Sequence, residues 1–225
     1  MSVKEDWTTE TLLYHILEKE KIRKDKSLIK GLITRARFPQ IKYLETIERK
    51  ELPKDMSVIL PQLETLKFIK ENRNIVLTGN PGTGKTHIAT GLGLMACKHG
   101  YKVLFITIHE LLTRINESYT EHSLRKFENN FKKYDLVICD EFGYVKFSKE
   151  NADLLFNLLS LRAEIKSTII TTNLAFEKWG EIFGDPILAG AMIDRLTHNA
   201  YLVNMNGDSY RIKETLKFNQ NVTQK

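Results

Sequence analysis

The chain has 225 residues, 42% hydrophobic and 28% charged, with a net charge of +6, enough to bury one sizeable core and carry an appendage. No run approaches the roughly 18 apolar residues of a membrane-spanning helix, and the opening Met1-Ser2-Val3-Lys4-Glu5-Asp6-Trp7 lacks the apolar stretch of a secretory leader. A cytoplasmic protein with no membrane partner is expected, with Cys97 and Cys139 as reduced packing residues and no metal-ligand spacing among the six histidines.

Residues from about Thr9 to Ile47 read as helical. Leu12, Leu13, Ile16 and Leu17 make one apolar stripe, and Leu28, Ile29, Leu32, Ile33 and Ala36 a second, so the segment is expected to pack on something. Its cations are Lys19, Lys21, Arg23, Lys24, Lys26, Lys30, Arg35, Arg37 and Lys42, opposed only by Glu20 and Asp25; nine minus two leaves +7 in this window. A charge run is often a solvated helix face. The nearly one-signed balance points instead to a polyanion, with nucleic acid first, held through phosphates in a salt-sensitive way. Lys21, Arg23, Lys24, Lys26, Lys30, Arg35 and Arg37 are the candidate contacts; Arg125, Lys126, Lys132 and Lys133 form a weaker second group. Pro39 and Pro53 punctuate the region. Residues 1–55 are read as a basic helical element for DNA binding and oligomerisation.

From Asn74 onward, short apolar runs alternate with helical stretches, the pattern of a parallel sheet with crossover helices. Ile75–Thr78, Lys102–Thr107, Leu136–Cys139, Thr168–Thr172 and Ala200–Asn204 read as five strands, apolar without alternation because both faces are covered. Helices are expected over about Lys85–Lys98, His109–Lys133, Lys149–Ile165, Phe176–Ile182 and Pro186–Leu196. Residues 56–218 form the expected α/β domain, and residues 219–225 a frayed tail.

Between the first strand and its helix, Gly79-Asn80-Pro81-Gly82-Thr83-Gly84-Lys85-Thr86 fits the phosphate-binding pattern G-x-x-x-x-G-K-[ST] in full. The glycines let backbone N–H groups turn inward at a helix N-terminus, forming a cradle for the phosphates of ATP. Lys85 can reach the β- and γ-phosphates, and Thr86 offers a hydroxyl to Mg²⁺. The third strand delivers Asp140 and Glu141 to its C-terminal edge, where ligands of α/β sheets bind. Asp140 is expected to hold Mg²⁺ through water, and Glu141 to orient and deprotonate an attacking water. A phosphotransferase must exclude water, so the paired acids suit hydrolysis. Asn173, ending the fourth strand, either faces the γ-phosphate and the water or caps the next helix. Arg195 is open to three readings: surface residue, helix-end cation, or a finger for a neighbour's site.

Together these residues resemble the AAA+ ATPases, and more closely the IstB family, the transposition helpers of insertion sequences, with the DnaC helicase loaders as relatives. The resemblance is carried by Ala36-Arg37-Phe38-Pro39, Gly79 to Thr86 continuing His87-Ile88-Ala89, Asp140-Glu141-Phe142-Gly143-Tyr144 and Thr172-Asn173-Leu174. It continues through Trp179-Gly180-Glu181-Ile182-Phe183-Gly184-Asp185-Pro186, Asp194-Arg195-Leu196-Thr197-His198 and Gly207-Asp208-Ser209-Tyr210-Arg211. It implies a P-loop core of the AAA+ type with sheet order 5-1-4-3-2 and ATP bound between subunits of a homo-oligomer. By it, Asn173 is the sensor, Arg195 the finger, and the partners are double-stranded DNA and a transposase. Only 225 − 195 = 30 residues follow Arg195, too few for the usual helical lid domain. That leaves Arg211 as a sheet-edge cation in preference to a second sensor. A helicase loader, partnered with a replicative helicase, is the alternative. A small-molecule kinase is disfavoured by Glu141, the basic arm and the lack of an arginine-rich lid segment.

Overall fold

Five strands assemble into one parallel sheet: β1 (Asn74–Thr78), β2 (Val103–Thr107), β3 (Leu136–Phe142), β4 (Ser167–Thr172) and β5 (Ala200–Asn204). Their order is β2-β3-β4-β1-β5, the expected 5-1-4-3-2 arrangement. The structure is a computed structural model describing residues 8–143 and 146–223. The N-terminal residues 1–7, Tyr144 and the last two tail residues lie outside the described residues.

The helices, in chain order, are α1 (Thr9–Ala36), α2 (Lys54–Glu64), α3 (Lys67–Lys70), α4 (Lys85–Lys98), α5 (Ile108–Thr120), α6 (Leu124–Phe131), α7 (Lys149–Ser160), α8 (Trp179–Phe183), α9 (Pro186–Thr197) and α10 (Tyr210–Thr223). Strand side chains alternate between two cores, as the period of two requires. Ile75, Leu77, Phe105, Ile138 and Ile169 face the core shared with α2, α3, α4 and the end of α1. Leu104, Ile106, Val137, Cys139 and Ile170 face the core of α5, α7, α8 and α9. Each layer buries apolar surface at about 25 cal/mol per Å², which is why runs lacking alternation make strands here. Burial pushes the thiols of Cys97 and Cys139 up to about 12, so both stay protonated packing groups. Among the described residues no helix is long and apolar enough to cross a membrane.

Several boundaries differ from the sequence reading. The helix expected to run to Ile47 stops at Ala36, because Arg37 takes a left-handed conformation (φ 62°) and Pro39 follows. Short 3-10 turns at Leu44–Thr46 and Arg49–Glu51 lead on to α2. The stretch expected as a single helix from His109 is split in two by left-handed His122. The helix from Lys149 ends five residues before Ile165, where Arg162 turns inward. The helical sequence of α2, α3 and α10 carried no strong signal, and α10 continues through residues 219–223 of the expected tail.

The first apolar stripe is also corrected. Leu32 and Ala36 of the second stripe are buried, but Leu12, Leu13, Ile16 and Leu17 remain 46–59% exposed. At 100° per residue the two stripes point to opposite sides of α1. Only the second can face the domain, so the first stripe is left exposed among the described residues.

Arg162 is 1% exposed, and among the described residues no carboxylate is in ion-pair contact with it. Instead its guanidinium donates to the carbonyls of Phe131, Tyr134 and Ser167, each at 2.9 Å, and lies 5.3 Å over the Phe131 ring. Burial lowers its pKa to about 10, still far above neutrality. It ties the end of α6 to the starts of β3 and β4. Arg162→Met strands those carbonyls and is expected to lower stability by on the order of 3 kcal/mol, read as a fall in the urea midpoint without a change in slope.

Candidate nucleotide-binding site

β1 runs into a loop, Gly79–Gly84, that only glycine-rich sequence can build. Gly82 (φ 83°) and Gly84 (φ 90°) lie in the left-handed region, and a side chain on Gly82 would also strike Ser209. No side chain caps α4, so its first N–H groups stay directed at the loop. Lys85 folds over this loop, donating to the carbonyls of Gly79 and Asn80 at 2.6 Å each. Burial holds its ammonium below the usual lysine range; Asp140 raises it and Arg211 lowers it further.

β4 lies between β1 and β3, which brings three strand ends together. Thr86 at the start of α4 donates to both carboxylate oxygens of Asp140, at 3.1 and 3.2 Å. Thr171 of β4 donates a short hydrogen bond to the same carboxylate. Asp140 is thereby buried at 4% exposure while accepting hydrogen bonds from two hydroxyls.

Glu141 reaches the same place by a different device. The β3–β4 register pairs Cys139 with Ile170 but Phe142 with Thr172, so β3 carries one extra residue. The bulge puts Glu141 at φ 62°, exposed, while Phe142 returns to the core against Trp179, with ring centroids 4.4 Å apart. The Glu141 N–H is held by the Thr171 hydroxyl at 3.2 Å. One threonine thus fixes both acids.

Asn173 lines the same cleft, and its side-chain oxygen is buried without a hydrogen-bond partner among the described residues. The capping alternative does not apply: the Leu174 N–H is taken by Thr172 at 3.1 Å, and the following 3-10 turn has no side-chain cap. An orphaned buried oxygen costs about 1–3 kcal/mol, a cost that a ligand's donor or an ordered water would offset.

The cleft holds about 620 Å³. Its floor is the glycine loop, with Glu141 and Asn173 at one end. One wall comes from residues 46–53 of the connector after α1, and the other from residues 207–213 at the start of α10. Neither wall was read as part of the site from the sequence: the connector carries no motif, and Gly207 to Arg211 entered only through the family resemblance; Arg211, expected at a sheet edge, belongs to the second wall. His87, next to Thr86, bonds Thr46 Oγ1 at 3.1 Å and the Tyr43 carbonyl at 2.9 Å, fastening the connector to α4.

The other candidate residues lie elsewhere. Lys21, Arg23, Lys24, Lys26, Lys30, Arg35 and Arg37 are all exposed on or just after α1. Arg23 pairs with Glu20 at 2.9 Å, and Arg37 approaches Glu110 at 4.0 Å. Lys42, counted with them, instead lines the cleft. Arg125, Lys126, Lys132 and Lys133 are exposed on and beside α6. Arg195 is exposed in the last turn of α9, its guanidinium 4.9 Å over Phe156. It borders a small hollow with Asn74 and Thr168, at the starts of β1 and β4. That is the opposite edge of the sheet, roughly 15 Å from the glycine loop by strand length.

Comparison with known proteins agrees with this geometry. Residues 1–218 match the family described as IstB-like ATP binding protein. The ATP-binding protein of insertion sequence IS5376 from Geobacillus stearothermophilus is 38% identical over 202 residues, covering 90% of this chain and 80% of that one. The IS21 ATP-binding protein of Pseudomonas aeruginosa is 37% identical over 185 residues, covering 82% and 70%. Among solved structures, the replication initiator DnaA bound to AMPPCP and single-stranded DNA superposes with a TM-score of 0.62 at 19% identity, over 80% of this chain and 56% of that one. The DnaC helicase loader superposes at 0.52 and 21% identity, over 68% and 90%. The match takes in little more than half of the initiator, and both likenesses establish the fold alone.

Proposed function

The chain belongs to the family of IstB-like ATP binding proteins, and we propose that it is a magnesium-dependent ATPase that assembles on duplex DNA and assists a transposase in the cytoplasm. The observation that supports the enzymatic part is that Lys85, Thr86, Glu141 and Asn173 line one cleft, with the buried Asp140 bonded to Thr86 and Thr171 of its lining. The relatives' association with insertion sequences supports the transposase.

Gly79, Asn80, Pro81, Gly82, Thr83, Gly84, Lys85 and Thr86 bind the phosphates in this reading, with backbone N–H groups of the loop and α4 as donors and Lys85 leaving its own carbonyls for the β- and γ-oxygens. The Thr86 hydroxyl and the Asp140 carboxylate, already in contact, are the hard oxygen donors that suit Mg²⁺, which takes one or two protein oxygens with phosphates and water. Among the described residues no cluster of three or more carboxylate, histidine or cysteine ligands exists to select another ion. The ion, when bound with ATP, would neutralise charge on the terminal phosphates. Glu141, held at the cleft by its bulge, orients a water and accepts its proton, while the Asn173 oxygen accepts a hydrogen bond from the water's other O–H. Arg195 cannot reach this cleft from the far edge of its own sheet, so its finger role requires a neighbouring subunit.

α1 serves DNA and self-association. Lys19, Arg23, Lys26 and Lys30 follow a 4-3-4 spacing and share one face of the helix, and the exposed stripe of Leu12, Leu13, Ile16 and Leu17 offers an apolar surface to another copy.

Glu141→Gln should bind ATP as the unaltered protein does and hydrolyse it at least about 100-fold more slowly; equal turnover would remove Glu141 from the chemistry. For DNA, truncating the arm is a poor test because Leu32, Ala36 and Leu44 belong to the core. The triple variant Arg23→Gln, Lys26→Gln, Lys30→Gln leaves that core intact. It should weaken duplex binding and flatten the slope of log K against log salt by about 2–3 units. An unchanged slope would refute the arm's role, and a preference for single strands would favour a helicase loader.

A further inference from the structure

The connector that walls the cleft is built from two 3-10 turns and irregular chain. The backbone hydrogen bonds of those turns, Thr46 to Tyr43, Ile47 to Leu44, Glu51 to Glu48 and Leu52 to Arg49, all close within the segment. Its place on the domain therefore depends on side chains.

His87, Gly91 and Lys98 lie on one side of α4, and each meets the connector. The Leu44 side chain occupies the space that a Cβ on Gly91 would need, 2.5 Å away. Lys98 Nζ lies 4.8 Å over the Tyr43 ring and 3.9 Å from the Glu45 carboxylate. His87 Nε2 is 2.9 Å from the Tyr43 carbonyl oxygen and 3.1 Å from Thr46 Oγ1. A carbonyl can only accept, and the Thr46 hydroxyl already donates to the same carbonyl at 2.7 Å. Nε2 therefore carries a proton and donates to both oxygens. This joins the first connector turn to the residue beside Thr86, in the first turn of the helix that follows the glycine loop.

Ile47, Leu52 and Pro53 bring apolar side chains into the cleft wall. A nucleotide with its phosphates on the glycine loop, and its terminal phosphate toward Glu141 and Asn173, still has a flat base to cover. Pockets cover such rings with apolar side chains, and the connector supplies them here.

We propose that His87 is a positioning residue for the base of the nucleotide: its Nε2–H latches the connector to α4 and so holds Ile47, Leu52 and Pro53 at a fixed height beside the glycine loop. This role rests on ATP being the ligand of the cleft. Without the latch, Leu44 still anchors one end of the segment in the core, and Arg49 still pairs with Glu64. The turn between them loosens while the domain stays folded, and binding a base then costs the entropy of ordering it.

The test compares binding of ATP, ADP and tripolyphosphate, each with magnesium, to the full chain and to His87→Ala and His87→Gln. Tripolyphosphate can occupy the glycine loop but has no base to meet the connector. His87→Ala should bind ATP and ADP about three- to tenfold more weakly, the worth of one hydrogen bond, and tripolyphosphate within about twofold of the unaltered chain. His87→Gln keeps an N–H donor and should recover much of the loss. Unchanged ATP affinity in His87→Ala, or a glutamine no better than the alanine, would overturn the assignment. So would equal losses for ATP and tripolyphosphate, which would place the effect of His87 in the phosphate loop. If the unaltered chain does not bind ATP, the ATP reading fails and takes this role with it; if it binds ATP and the variants depart from this pattern, this inference alone fails.

Discussion

The buried carboxylate of Asp140 is the constraint on which the site depends. It is 4% exposed, and it is tolerable there because Thr86 from α4 and Thr171 from β4 donate hydroxyls to it. A buried ion without such partners would cost several kcal/mol. The three groups come from three elements, so they meet only when β4 lies between β1 and β3. The sheet order is therefore part of the site's chemistry. A different order would leave Asp140 unpaired and the glycine loop facing no acid.

From the same centre the geometry spreads outward. Thr171 also holds the Glu141 N–H, and the bulge in β3 sends Glu141 into the cleft while Phe142 turns back to stack on Trp179. The strained backbone at Glu141 is thus balanced by burial of its neighbour. On the other side His87 carries the position of α4 to Thr46 and Tyr43, and from there to the end of α1.

The central residues were legible in the sequence because each sits at the end of an apolar strand or in a glycine-rich turn, where chain order alone fixes the environment. Lys85, Thr86, Glu141 and Asn173 line one cleft, and Asp140 is bonded to Thr86 and Thr171. Arg211 was left between a sheet-edge cation and a second sensor, and its place in the cleft wall comes from a helix with a weak apolar pattern, docked by backbone hydrogen bonds. The connector at residues 46–53 was silent for the same reason. The stripe at Leu12–Leu17 was read correctly as apolar, but periodicity does not say which surface it meets. Among the described residues it stays exposed, since it faces away from the side that buries Leu32 and Ala36.

The cleft with Glu141 and Asn173 lies at one edge of the sheet and Arg195 at the opposite edge, so the proposed finger role of Arg195 calls for a second subunit. The direct measurement is ATP hydrolysis by a mixture of Lys85→Ala and Arg195→Ala subunits on duplex DNA. Each variant alone should be inactive, and the mixture should regain activity, because intact Lys85 on one subunit then meets intact Arg195 on another. A mixture as inactive as its components would contradict the account of a site shared between subunits.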